Sequence, residues 1–413
     1  MLLLLACAST VEDTAQEVPI LPWAQGVSID TLYLNQAVDI EVVDGAFDVP
    51  IVAGRGLLVR ATLDVEQPQD LDARLVLSGS GEPVVYTTPW SATGAEDATV
   101  YNGTVQWVVD PMDVTPETRL HIQLLGEGPD TEEPGSARWP EEGSLALDAW
   151  PGLEIELVVV PLYCDGQDAP DVSGQDLVEF ETFLFNTFPV SALDLRVREP
   201  AYSASCDPAV AADSELKDLR AADAPEDWVF YGGLFTEGWG GYTTGGDWSD
   251  PAWSRTFAST AWRDHGLTAD LFAHELGHAI GLAHSFEDPD WPVPSDLGTW
   301  CGTRRTTGWG PRSGLTPSSG WGNDVALGLA WFDPNQQFVP PTDPDTCDGY
   351  ADGNRWNHND FMSYTYPMWV SAYSYETLAR NLQVIRGWRE GDDTGQREGV
   401  RPPHRDLRPA ARD

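Results

Sequence analysis

The sequence predicts an α+β protein, with an N-terminal antiparallel β-sandwich followed by a second domain built on a twisted sheet and helices. Three observations carry this. Apolar residues alternate with polar ones at a period of two between about Val27 and Leu125, which is the signature of half-buried strands. A Pro/Gly/Glu-rich stretch at 127–142 then breaks the pattern, as a domain boundary does. Beyond it, strand-like runs give way to segments with helical spacing, one of which carries clustered histidines.

In the first region Val38, Ile40 and Val42 alternate with Asp39 and Glu41, and Leu57, Val59, Ala61, Leu63 and Val65 with Arg60, Thr62 and Asp64. Leu120, Ile122 and Leu124 do the same against Arg119, His121 and Gln123. Short strands separated by Gly, Pro and Asp turns, with no helical stretch among them, argue a sandwich. Leu153, Ile155, Leu157 and Val159 open the second domain as a strand, and Ser173 caps a helix bearing Leu177, Phe180, Leu184 and Phe188. A strand at 193–197, a short helix near 213–221 and strands at 228–235 and 255–261 follow. The glycine-rich stretch 238–250 reads as a mobile rim. Residues 286–350 are irregular and rich in tryptophan (Trp291, Trp300, Trp309, Trp321, Trp331), which argues against disorder and leaves sugar stacking or internal packing as readings. Leu378, Leu382, Ile385 and Trp388 mark a last amphipathic helix. The expected division is 1–8 an export-signal or lipobox remnant, 9–20 a linker, 21–126 the sandwich, 127–150 the connection, 151–392 the second domain and 393–413 a disordered tail.

The chemistry concentrates in the run from His274 to His284. His274 and His278 are four apart and share one helical face, so both imidazoles can reach one ion. Glu275 lies on the same turn, where a carboxylate can take a proton from metal-bound water. Gly281 lets the chain leave the helix and return His284 as a third nitrogen donor. Three protein ligands leave a fourth tetrahedral position open, as a catalytic Zn2+ requires. Thr268 is placed to cap this helix, Asp270 favours its positive end, and Leu271, Phe272, Leu276 and Ile280 give it a buried side.

The string from His274 to His284 resembles the extended zinc motif of the metzincin metalloendopeptidases, and Ser285 after it is similar to the matrixin-type ending. Asp360-Phe361-Met362-Ser363-Tyr364 resembles the methionine turn of that family, separated here by a long insertion like those of bacterial secreted members. The resemblance implies a metzincin-like zinc peptidase domain in which His274, His278 and His284 hold Zn2+ and Glu275 is the general base. It also implies Met362 as an apolar floor, Tyr364 as a stabiliser of the oxyanion, and a substrate strand paired to an edge of the sheet. The expected activity is hydrolysis of peptide bonds in extracellular proteins, glycoproteins included. The alternatives are a zinc amidase acting on a non-protein amide, and a catalytically weak or inactive peptidase-fold surface protein that binds glycoprotein.

Composition bounds the partners. The net charge of −43, from 23 basic and 66 acidic residues, excludes nucleic-acid binding through phosphates and disfavours anionic lipid surfaces. Asp343, Asp345, Asp348 and Asp352 make Ca2+ a second candidate cation, without the spacing of an EF-hand. Of five cysteines, Cys7 belongs to the N-terminal segment. The pairing Cys164–Cys206 with Cys301–Cys347 is preferred among three connectivities because it closes the shortest loops. Leu2–Leu5 followed by Ala6-Cys7-Ala8 reads either as a lipobox, with Cys7 lipidated, or as an ordinary signal-peptidase site. No run approaches the ~18 apolar residues of a transmembrane helix, and a monomer at the cell surface or outside it is the expected state.

Overall fold

The computed structural model describes residues 22–282, apart from positions 48, 80, 97–102, 127–136, 239, 245–247, 251–252, 254 and 262–268, and beyond them 361–362, 370 and 372–390. Among the described residues it is a mixed α+β protein with three sheets. The first region forms two antiparallel sheets. One holds β1 (Val27–Asn35), β2 (Asp39–Val42), β3 (Leu57–Val65) and β6 (Val105–Val109) in the order β2-β1-β3-β6. The other holds β4 (Gln69–Ser78), β5 (Val84–Ala92) and β7 (Arg119–Gly126) with two short strands, β8 (Arg138–Trp139) and β9 (Leu145–Ala146), both paired to β7. Residues 138–139 and 145–146, within the stretch expected as the connection, add these two short strands to the sheet. Inward residues of both sheets share one core, and the Trp107 indole N–H on β6 donates to Ala73 O on β4, 3.1 Å away. Pro89 sits in β5 at the edge of its sheet, where a missing N–H breaks no ladder.

The third sheet runs β11-β10-β13-β15-β14, with β12 alongside the end of β10. Its strands are β10 (Glu154–Tyr163), β11 (Ala192–Val197), β12 (Ala201–Tyr202), β13 (Phe230–Phe235), β14 (Gly241–Thr243) and β15 (Thr256–Thr260). All pair in parallel except β14, which is antiparallel to β15 and falls in the stretch expected as a mobile rim. The sheet is covered on both faces, so β10 reads as a nearly continuous apolar run. Ile155, Leu157 and Val159 face the main core, while Val158, Val160 and Leu162 face Ala211, Ala212 and Leu216. Those last three lie on a helical run made of α2 (Pro208–Val210), a π turn (Ala211–Glu215) and α3 (Leu216–Asp223). Both Thr244 and Thr256 donate hydroxyl hydrogen bonds to Ala212 O in the π turn, at 3.0 and 2.8 Å.

On the main-core face lie α1 (Gly174–Thr187), α4 (Ala269–Ala279) and α5 (Ala372–Arg389). Phe272 of α4 packs edge-on against Phe180 of α1 and Phe257 of β15, with centroids 4.7 Å apart in each pair. Gly232 of β13 makes this possible, because a Cβ there would lie 2.2 Å from the Phe272 ring.

Arg55 ties the first region to the second. It is fully buried, and its Nε donates to Gln36 O at 2.8 Å. Its Nη1 donates to the carbonyls of Phe185, Phe188 and Val190, and its Nη2 to Asn186 O. These carbonyls are at and just beyond the C-terminus of α1, where a cation complements the helix dipole. The guanidinium also lies over the Phe185 ring, 5.0 Å from its centroid. Burial pulls its pKa down from the ordinary arginine value, with Tyr375 of α5 acting the other way.

Candidate functional site

Helix α4 buries Phe272, Ala273, Leu276 and Ala279 against the sheet. Its ending follows from Gly281, whose φ of +99° is a left-handed conformation that glycine adopts without a Cβ penalty. Leu282 N–H donates to Gly277 O and Gly281 N–H to His278 O, both at 2.9 Å, which is a Schellman cap. A further carbonyl at this end, Ile280 O, accepts from the Asn381 side chain of α5 at 2.7 Å. A Cβ on residue 281 would also meet Trp248 at 2.4 Å, so space and backbone both select glycine.

The cap orients the histidines. His278 Nδ1 lies 2.8 Å from Leu282 O, and His274 Nδ1 lies 2.8 Å from Phe361 O. A carbonyl only accepts, so each ring donates from Nδ1 and turns Nε2 to the side away from that carbonyl. The two Nε2 atoms face each other 3.1 Å apart. His274 is buried and His278 half-buried. Met362 is fully buried against α4, its sulfur only 2.5 Å from where a Cβ on Gly277 would stand.

Glu275 is buried on the same turn and points toward β14. Its Oε2 and its main-chain oxygen both lie 2.7 Å from the Thr243 hydroxyl. The Thr243 hydroxyl is thus shared between the Glu275 carboxyl and the main-chain oxygen of the same residue, which tethers the carboxyl to β14. Burial pushes the Glu275 carboxyl up to about 7, with the Thr243 hydrogen bond pulling the other way. Gly241 leaves room for this carboxyl, since a Cβ there would lie 2.5 Å from it. Thr243, Leu282 O and Phe361 O were not legible as parts of the site, because nothing in their local sequence marks a partner contributed from another element.

Three of the expected site residues, His274, Glu275 and His278, are therefore together, with Gly281 and Met362 supporting them. His284, Tyr364, Cys301, Cys347 and the aspartates at 343–352 lie outside the described residues. Cys164 and Cys206 are joined by a disulfide with Cα atoms 5.5 Å apart. Among the described residues no group of three or more His, Cys, Asp or Glu side chains is placed to hold a metal ion. The described nitrogen set stops at two, and the one carboxyl beside it is engaged with Thr243.

No family model matches the chain, and no curated protein matches it. The metzincin resemblance is corrected accordingly. With it go the zinc-dependent endopeptidase activity, Glu275 as a general base for metal-bound water, and Zn2+ and Ca2+ as cofactors, none of which the described donor set supports. A solved structure described as "Structure of a chaperone-substrate complex" is similar at 11% identity and a TM-score of 0.26, covering 68% of this chain. The match spans 43% of that other chain, and a likeness at this level carries no argument. Among the described residues no helix is long and apolar enough to cross a membrane.

Proposed function

We propose that the chain is a secreted or surface-held binding protein that takes an extended segment of an extracellular protein or glycoprotein along β14, beside His274, Glu275 and His278, and leaves it uncut. The observation that carries this reading is the free edge of β14. Among the described residues that strand ends its sheet and pairs with β15 alone. Thr244 N–H donates to Thr256 O, so by the alternation of an antiparallel ladder the N–H and C=O of Gly241 and Thr243 face away from β15. An added strand would find those groups open and the α4 histidines next to it. The disulfide at Cys164 and Cys206 fits an exported chain, since such bonds persist in oxidising compartments. In this reading the sandwich at 21–126 is an accessory domain to the binding region at 151–392.

The test is binding of an unfolded, reduced and alkylated polypeptide, followed by fluorescence anisotropy. Thr243→Pro removes one outward N–H and should weaken binding at least tenfold. Thr243→Val, which loses the hydroxyl but keeps the N–H, should stay within about threefold of the parent. Equal binding by the parent and both variants sinks the reading.

A further inference from the structure

A second surface feature stands at the C-terminal end of β10. The chain leaves β10 for β11 on one side and reaches β13 on the other, so this end of the sheet is a topological switch point, where ligands of open α/β sheets bind. Tyr163 closes β10 and Tyr202 closes β12, side by side in the ladder. Their rings are 5.5 Å apart between centroids and inclined at 59°, and they remain 39% and 50% exposed. The Cys164–Cys206 disulfide fixes the two segments that carry them, and Ser203 N–H donates to Tyr163 O at 2.8 Å.

Acceptors surround this pair. Asp165 Oδ1 takes the Tyr202 hydroxyl at 3.3 Å, and Glu215 Oε1 takes the Ala204 N–H at 2.7 Å. Asp165 and then Glu215 contribute to raising the Tyr202 pKa above its ordinary value, Asp165 being the largest cause. Among the described residues the buried atoms Glu215 Oε2, Gln167 Oε1 and the hydroxyl of the fully buried Ser203 have no hydrogen-bond partner. Lys217 on the same helical run is already committed to Asp213, 3.6 Å away.

We propose that the Tyr163–Tyr202 pair, flanked by Asp165 and Glu215, is a docking site for a lysine side chain of a basic partner protein. A cation over an aromatic face is attracted by the ring quadrupole, and two exposed rings double the opportunity. The Asp165 and Glu215 carboxylates are acceptors, and an ammonium brings three donors. The inclination of the rings opens a wedge for a compact ammonium rather than the parallel slot on which a planar guanidinium stacks. The excess of acidic residues over the whole chain, net −43, favours a basic partner over nucleic acid, and Asp165 beside the rings gives that attraction a local anchor. The proposal deepens the binding reading above by naming ligand chemistry, and rests on it only in treating the chain as a binder.

The experiment titrates the full chain, by calorimetry at fixed salt, with a ten-residue peptide bearing four lysines, the same peptide Nε-acetylated, and an arginine version. The lysine peptide should bind at least tenfold more tightly than the acetylated one, and more tightly than the arginine one. Tyr163→Ala and Tyr202→Ala should each lose about fivefold, Tyr202→Phe less than twofold, with thermal melting unchanged in all three. Thr243→Pro should leave lysine-peptide binding intact. Binding that survives the paired alanine variant overturns the platform and leaves only diffuse attraction to an acidic chain. If that binding is lost in Thr243→Pro instead, the platform falls while the edge-strand reading stands. Absence of any lysine-peptide binding also overturns it.

Discussion

Replacing Arg55 with methionine removes a buried cation that joins the first region to α1. The perturbation deletes donors to five carbonyls, those of Gln36, Phe185, Asn186, Phe188 and Val190. Hydrogen bonds to a charged group contribute roughly 1.5–3 kcal/mol each, and they do not add when one side chain makes them all. Removing a guanidinium from the interior also recovers its desolvation cost, which is several kcal/mol. The balance resembles the breaking of a buried ionic contact, about 3–5 kcal/mol of destabilisation. Arg55→Lys keeps the charge but loses the planar fork, and should recover less than half of that loss. Urea unfolding of parent and variants, followed by tryptophan fluorescence and far-UV circular dichroism together, measures it. The reasoning further expects the two probes to separate in Arg55→Met, since the regions would lose their shared anchor. A destabilisation below about 1 kcal/mol with coincident transitions would refute the argument, because the carbonyls would then have found other partners.

Two further outcomes follow from the site and its support. The folded Glu275 carboxyl keeps its proton to about 7, whereas an unperturbed one releases it at 4.5, so in between the folded chain binds more protons and stability falls as pH rises. Glu275→Gln should therefore match the parent near pH 4.5 and exceed it by roughly 3 kcal/mol above pH 8 in urea titrations, whereas parallel pH profiles would contradict the assignment. Gly232→Ala places a methyl 2.2 Å from the Phe272 ring and should cost roughly 1–3 kcal/mol or more, read as a lowered melting temperature; an unchanged melting temperature would mean that α4 lies farther from β13.

What the sequence made legible was local. The alternation in Leu57–Val65 and Leu120–Leu124 marked β3 and β7, because a period of two records which face is buried. The stripe of Phe272, Leu276 and Ile280 marked α4, and four-residue spacing placed His274 and His278 together. Residues joined across long separations were not legible. Arg55 looks like any surface arginine beside a turn, and its carbonyl partners at the end of α1 lie about 130 residues away, with no side-chain signature. Strand β14 hid in a glycine-rich stretch because Gly241, which reads as a flexible position, instead makes room for the Glu275 carboxyl. The histidine motif also said more than the described structure carries. Spacing brings two rings to one face, but it does not specify whether a third donor joins them or what the nearby carboxyl bonds to.

The most direct test of the central claim is mass-spectrometric mapping of new termini after the purified chain is incubated with a panel of unfolded polypeptides and glycoproteins in the presence of added Zn2+. The account predicts that the ligands are retained on the chain and recovered at full length. New termini that vanish with a chelator, and are missing from the Glu275→Gln variant, would contradict it and restore a metal-dependent peptidase.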